Sequence, residues 1–215
     1  MVFGAGKQIE AHLDLFIRHF PSISQCTIVN RTINARSKSL KETINARFSH
    51  INLHIVSSQK ELNGNQQQIE EAVHSADIII CATSSTVPLF SSSWVQTGTH
   101  VILIGSFTPA MREVERELVL RAANAGCLLV DSKKACLEEA GELIDARLEA
   151  HQMTEIGELV PNANVRLISK NDRSFKDGWI TMFKSVGIGL QDVAIACAVV
   201  GRAQGCGMMV EDYDT

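Results

Sequence analysis

Gly4-Ala5-Gly6 stands between an apolar pair, Val2-Phe3, and an amphipathic run that begins at Lys7. A strand, then glycines, then a helix is the order that a pyrophosphate group requires. The first glycine permits a tight turn and the second lets phosphate oxygens approach the backbone. The helix start adds free N–H groups and the positive end of its dipole. Ile9 occupies the third position, where a small residue normally lets helix and strand pack closely, so its bulk must either be accommodated or push the helix away. A merely tight turn is the alternative reading of the glycines. The second group is Asn30-Arg31-Thr32, at the end of an apolar run from Cys26. An acidic residue there would bind ribose hydroxyls and repel a 2′-phosphate, whereas a guanidinium and a hydroxyl can hold phosphate oxygens. With the glycines, this favours NADP(H) over NAD(H) as the ligand. The competing account is a polar strand end in which Thr32 or Asn34 caps the next helix.

Further along lie Ala82-Thr83-Ser84-Ser85-Thr86 and Gly105-Ser106-Phe107-Thr108-Pro109, each closing an apolar run. In a doubly wound sheet, ligands bind outside the carboxyl ends of the strands. Thr83 is therefore a candidate for the nicotinamide side of a cofactor, with an exposed polar loop as the alternative. Phe107 offers neither acid nor base. Lys184-Ser185 precedes Gly187 at another strand-to-helix junction. The Ser185 segment could offer backbone N–H groups to a cofactor, and a plain turn explains it equally well. The candidate cofactor-binding residues are thus Gly4, Ala5, Gly6, Asn30, Arg31, Thr32, Thr83 and Ser185, and no catalytic residue is assigned. Glu138, Glu139 and Glu142 form either an acidic site or, preferably, a solvated helix face. His12 lies on the first helix, where partial burial is favoured over catalysis. No HExxH spacing is present to hold zinc, so no metal is expected.

The elements needed to carry these residues follow from periodicity. Apolar runs at residues 2–3, 26–29, 51–56, 76–81, 101–104 and 127–130 read as strands. Helical patterns separate them, at Ile9, Leu13, Phe16 and Ile17, at 35–48, around Ile69, Ala72 and Val73, and at 112–123. Near-continuous apolar strands alternating with helices indicate an α/β fold with a mostly parallel, doubly wound sheet. The register changes after Asp131. There follow an acidic helical stretch at 138–149, Pro161 among polar turns, a strand-like 179–183 and an apolar helix at 188–200, with a loose tail from 211.

Composition agrees with an ordinary globular protein. The chain has 215 residues, 45% of them apolar and 20% charged, and a net charge of -4. That balance leaves no basic footprint for nucleic acid, and the apolar runs are too short to span a membrane. The six cysteines include no CxxC pair. They read as buried free thiols of a reducing, cytoplasmic compartment.

Taken in order, these residues resemble the ornithine cyclodeaminase and mu-crystallin family. The matching segments are Gly4-Ala5-Gly6-Lys7-Gln8 with His12, Asn30-Arg31-Thr32, Ala76-Asp77-Ile78-Ile79 with Thr83, and Gly105-Ser106 with Pro109 and Arg112-Glu113. Asp131-Ser132, Glu139-Ala140-Gly141-Glu142, Gly157-Glu158 and Phe183-Lys184-Ser185-Val186-Gly187 continue the series. The resemblance implies a Rossmann-like NAD(P)-binding domain at 1–150. Residues 151–215 would be the C-terminal remnant of a second domain that binds an amino or imino acid and forms a homodimer. The family builds that second domain largely from an N-terminal half, which has no counterpart here, so the sequence reads as cut through its first strand. Cyclodeaminases of the family carry an aspartate where this chain has Phe107. The implied activity is therefore ketimine reductase-like hydride transfer rather than ornithine cyclisation. The alternative is a catalytically inactive dinucleotide-binding remnant.

Overall fold

The apolar runs become the strands of one parallel sheet. A computed structural model describes residues 1–59, 65–159 and 178–203. The strands are β1 (Val2–Phe3), β2 (Gln25–Asn30), β3 (Asn52–Ser57), β4 (Ile78–Cys81), β5 (His100–Leu103), β6 (Leu128–Val130), β7 (Thr154–Glu155) and β8 (Thr181–Lys184). They pair in the order β3-β2-β1-β4-β5-β8-β6-β7, and every pairing is parallel. Asn63-Gly64, Pro161 with its turns, Cys206 and the tail from 211 lie outside the described residues.

Helices cover both faces, as burial of near-continuous apolar strands demands. On one face α1 (Lys7–His19) and α2 (Ala35–Arg47) lay Ile9, Leu13, Ile17, Leu40 and Ile44 against Ile28 and Ile80. On the other, α3 (Asn65–His74) and α4 (Arg116–Asn124) contribute Ile69, Val73, Leu118 and Val119 to a core with Ile79, Val101 and Leu128. Burying each such side chain fully contributes about 1.5–3 kcal/mol. Ile9 is fully buried in the first cluster beside Val2 and Ala5. The bulky residue is accommodated, and α1 stays packed on the sheet.

One reading of the later chain is corrected. The acidic stretch at 138–149 is not one helix. It contains the end of α5 (Lys133–Glu139) and α6 (Gly141–Asp145), with Ala140 in an extended conformation between them. A Cβ on Gly141 would collide with the backbone carbonyls of Met111 and Pro109, so the chain breaks where another loop crosses it. β7 and β8 fall within 151–215, and both belong to the single sheet. β8 runs between β5 and β6, its Met182 and Phe183 pairing with Val101 and Ile102 on one side and with Leu128 and Leu129 on the other. The last helix, α7 (Gly189–Arg202), buries none of its side chains among the described residues.

Candidate functional site

Strand register alone brings the candidate residues together. Phe3 pairs with Val29 and with Cys81, Cys81 with Leu103, Leu103 with Lys184, and Lys184 with Val130. The residues that follow therefore leave the sheet along one rim: Gly4, Asn30, Ala82-Thr83, Ile104-Gly105, Ser185 and Asp131. This is the carboxyl end of a parallel sheet, and strand order reverses between β1 and β4, where such folds bind ligands.

At the rim, Gly4 has φ +106° and its N–H donates to Val29 O at 2.8 Å. A Cβ there would lie 2.8 Å from Ala82 O, so the turn requires glycine both for its dihedral and for the close β4 loop. Gly6 differs: nothing lies within 4 Å of where its Cβ would be. It caps α1, and among the described residues the first-turn N–H groups have no side-chain cap. Open space over a helix N-terminus of 13 residues fits a pyrophosphate. Beside it, a cavity of about 630 Å³ between α1 and α2 is lined by Ala5, Lys7, Arg36 and Arg47 among others. Sequence reasoning missed Arg36, which only helix packing brings to the glycine loop.

Asn34 rather than Thr32 caps α2. Its side chain accepts from Ser37 N–H at 3.1 Å, and Ser37 Oγ accepts in return from Asn34 N–H. Asn30 Nδ2 donates to Thr32 O at 2.9 Å, closing the turn on itself. Ser57 Oγ donates to Arg31 O, fixing the backbone and leaving the Arg31 and Thr32 side chains exposed.

Across the rim from the glycines opens a cavity of about 850 Å³ lined by Gln8, His12, Thr83, Phe107 and Ser185, among other residues. Phe107 is 53% exposed and presents its ring to this cavity. His12 is half-buried, with Nδ1 2.7 Å from Gln8 O, and edges this cavity.

Two buried carboxylates hold this wall, and neither was singled out from the sequence for that role. Glu113 is fully buried. Its Oε1 accepts from Thr83 N–H at 2.7 Å and Thr83 Oγ1–H at 2.8 Å, and its Oε2 from Gly105 N–H at 2.8 Å. Burial pushes its carboxyl above the usual range, opposed by those three donors and by the Lys184 charge. Asp131 Oδ2 accepts from Ser185 Oγ–H at 2.7 Å, Val186 N–H at 3.0 Å and Gly187 N–H at 2.8 Å. Its Oδ1 accepts from Ser132 N–H and Cys136 Sγ–H. Burial, followed by the Asp131 charge, pushes the Cys136 thiol up to about 12, so it is inert as a nucleophile.

The backbone donors expected of the Ser185 segment are consequently spent. Ser185 N–H donates to Leu103 O, and the next two N–H groups go to Asp131. Behind them Lys184 is fully buried, its Nζ donating to Ser106 O at 2.5 Å and lying 3.1 Å from Glu142 Oε1. That approach is within ion-pair reach but misaligned for a hydrogen bond, and neither Glu142 oxygen has a hydrogen-bond partner. The acidic group of the sequence divides accordingly: Glu138 and Glu139 are exposed, and Glu142 is buried beside a cation. Among the described residues no cluster of three or more acidic, histidine or cysteine side chains is arranged to hold a metal. No described helix is long and apolar enough to cross a membrane.

Residues 1–207 match the family model described as the ornithine cyclodeaminase/mu-crystallin family. The chain is 28% identical over 195 residues to the ketimine reductase mu-crystallin of Mus musculus, covering 91% of this chain and 52% of that protein. It is 35% identical over 148 residues to a delta(1)-pyrroline-2-carboxylate reductase of Bacillus cereus, covering 66% and 42% respectively. Among solved structures, the Thermococcus litoralis delta(1)-pyrroline-2-carboxylate reductase in complex with NADH and L-proline matches with a TM-score of 0.75 at 25% identity. That match covers 97% of this chain and 59% of the other. The chain thus spans about half the length of the curated relatives it matches.

Proposed function

The chain belongs to the ornithine cyclodeaminase/mu-crystallin family, and on that premise we propose that it binds a nicotinamide dinucleotide, NADP(H) in preference to NAD(H), for reduction of a cyclic imino acid. The observation that carries this reading is the strand register. It sets an uncapped helix N-terminus at Gly6 and the cavity lined by Thr83 and Ser185 on one rim. In this reading the pyrophosphate lies over Gly4-Ala5-Gly6. The Asn30-Arg31-Thr32 turn meets the adenosine ribose, and the nicotinamide enters the larger cavity. The bound cofactor supplies a hydride. The residues of this chain orient it and cover the cavity wall with apolar surface from Phe107. Because Phe107 cannot take a proton from a substrate amine, hydride transfer to a C=N bond is favoured over ornithine cyclisation. The names of the mouse and Bacillus cereus relatives support the same class of reaction.

Titration of the purified chain with NADPH and NADH tests the reading, by nucleotide fluorescence and by thermal shift. NADPH is expected to bind more tightly. Arg31→Ala should weaken NADPH about tenfold, the order of one charge-assisted hydrogen bond, and leave NADH within about twofold. If neither dinucleotide changes fluorescence or melting temperature, the reading is wrong. Oxidation of NADPH with Δ1-pyrroline-2-carboxylate as substrate then separates a competent reductase from a binding module.

A further inference from the structure

The two ends of the rim have opposite hydrogen-bonding character. At the glycine loop the first-turn N–H groups of α1 have no side-chain cap. At the far wall the donors are consumed internally. Thr83 N–H and Gly105 N–H go to Glu113, Ser185 N–H to Leu103 O, and Val186 and Gly187 N–H to Asp131. The two hydroxyls are treated alike. A hydroxyl has one proton to donate, and an ionised carboxylate can only accept. Thr83 gives its proton to Glu113 and Ser185 gives its proton to Asp131, at 2.8 and 2.7 Å. What remains on each oxygen is lone-pair capacity, touched among the described residues only by long contacts of 3.3 Å from Ser85 N–H and Gly187 N–H.

We propose that Glu113 and Asp131 are positioning residues that fix the Thr83 and Ser185 hydroxyls as acceptors, so that this wall selects ligands bringing N–H or O–H donors to it. The proposal deepens the dinucleotide reading and rests on it. Glu113 and Asp131 come from different elements, one from the loop before α4 and the other from the end of β6. Both are buried, so water does not compete for their oxygens. Five donors converge on Asp131 and three on Glu113, which is the environment of an acceptor-only carboxylate. A dinucleotide is thereby given a direction. Its phosphates meet free N–H groups at one end, and its nicotinamide half meets oxygens that accept at the other. Two parts of that half carry donors, the carboxamide and the ribose hydroxyls. A carboxylate in place of the carboxamide would face two oxygens with no proton to offer.

Equilibrium binding of the full chain to three dinucleotides tests this: NADH, its nicotinic acid counterpart, and an analogue lacking the hydroxyls of the nicotinamide ribose. The wild-type chain is expected to bind at least one analogue tenfold or more weakly than NADH. Loss with the acid identifies the carboxamide as the donor, and loss with the deoxy analogue identifies the ribose. Thr83→Val or Ser185→Ala should cut that discrimination to below threefold, and Thr83→Ser should retain it. Glu113→Gln leaves a neutral amide with one oxygen for three donors and so weakens the hold on the Thr83 proton, and discrimination should shrink. Melting curves of every variant show that the fold persists, and Thr83→Val keeps the test intact should Glu113→Gln fail to fold. Equal affinity of the wild type for all three ligands, or unchanged discrimination in both hydroxyl variants, overturns the proposal while the dinucleotide reading stands. No binding of any dinucleotide overturns both.

Discussion

Ile9, Glu113 and Asp131 show what single residues reveal and conceal. A bulky residue at the third fingerprint position is visible in the sequence as an irregularity. Its resolution, full burial against Val2 and Ala5, depends on helix placement that no local pattern encodes. The turn at Gly4 was legible because its dihedral and the close β4 loop both act on that one position. The carboxylates were not, since Glu113 acts thirty positions from Thr83 and Asp131 more than fifty from Ser185. His100 gives a residue-scale prediction. It is half-buried at the amino end of β5, with Nδ1 2.7 Å from Thr181 Oγ1, and burial pulls its pKa below the ordinary imidazole value of 6.5. Below pH 6.5 the unfolded chain binds a proton that the folded chain resists. The stability this residue contributes is therefore present above 6.5 and lost as pH falls through its folded pKa. Urea unfolding between pH 5 and 8 should show a steeper acid loss in the wild type than in His100→Asn. The difference in slope should be at most about 1.4 kcal/mol per pH unit. Equal slopes would dismiss the buried-imidazole account.

At the scale of elements, the strands were legible because burial on both faces leaves continuous apolar runs, a signal independent of partners. The place of β8 was not. Thr181–Lys184 reads as a strand, but its insertion between β5 and β6 is decided by long-range pairing. The break between α5 and α6 was equally hidden, because acidic helix-forming residues continue through it and the interrupting contact comes from the Pro109–Met111 loop. Gly141→Ala tests that contact. Its methyl group must displace two backbone carbonyls, an overpacking expected to cost about 1–3 kcal/mol. Gly189→Ala is the matched control. It lies at the start of α7 with nothing within 4 Å of the new Cβ, and should be neutral or stabilising by up to about 1 kcal/mol. The chemical denaturation midpoint should fall in Gly141→Ala and stay level or rise in Gly189→Ala. A Gly141→Ala midpoint equal to the wild type would mean that the crossing loop yields freely and does not set the break.

A well-covered sheet is combined with a helix that, among the described residues, buries no side chain. On one side of the chain, Ile79, Val101 and Leu128 are sealed beneath helices. On the other, Leu190 is 73% exposed, Ile195 67% and Val200 70%. The sequence already marked α7 as apolar on most sides and so expected to pack. Among the described residues it buries no side chain. Exposed apolar surface of this kind marks an interaction face or an aggregation liability. Burying it against a second copy is the arrangement open to the isolated chain. Sedimentation or light scattering of the 215-residue chain should therefore show concentration-dependent self-association. Ile195→Glu with Val199→Lys should shift it toward monomer while the melting temperature changes by only a few degrees, because these side chains contribute little to the sheet core. The binding of an environment-sensitive apolar dye should fall in the same variant. A chain that is monomeric at all concentrations and does not bind the dye would show that α7 is covered in solution. The exposed face would then have to be explained by contacts within the chain itself.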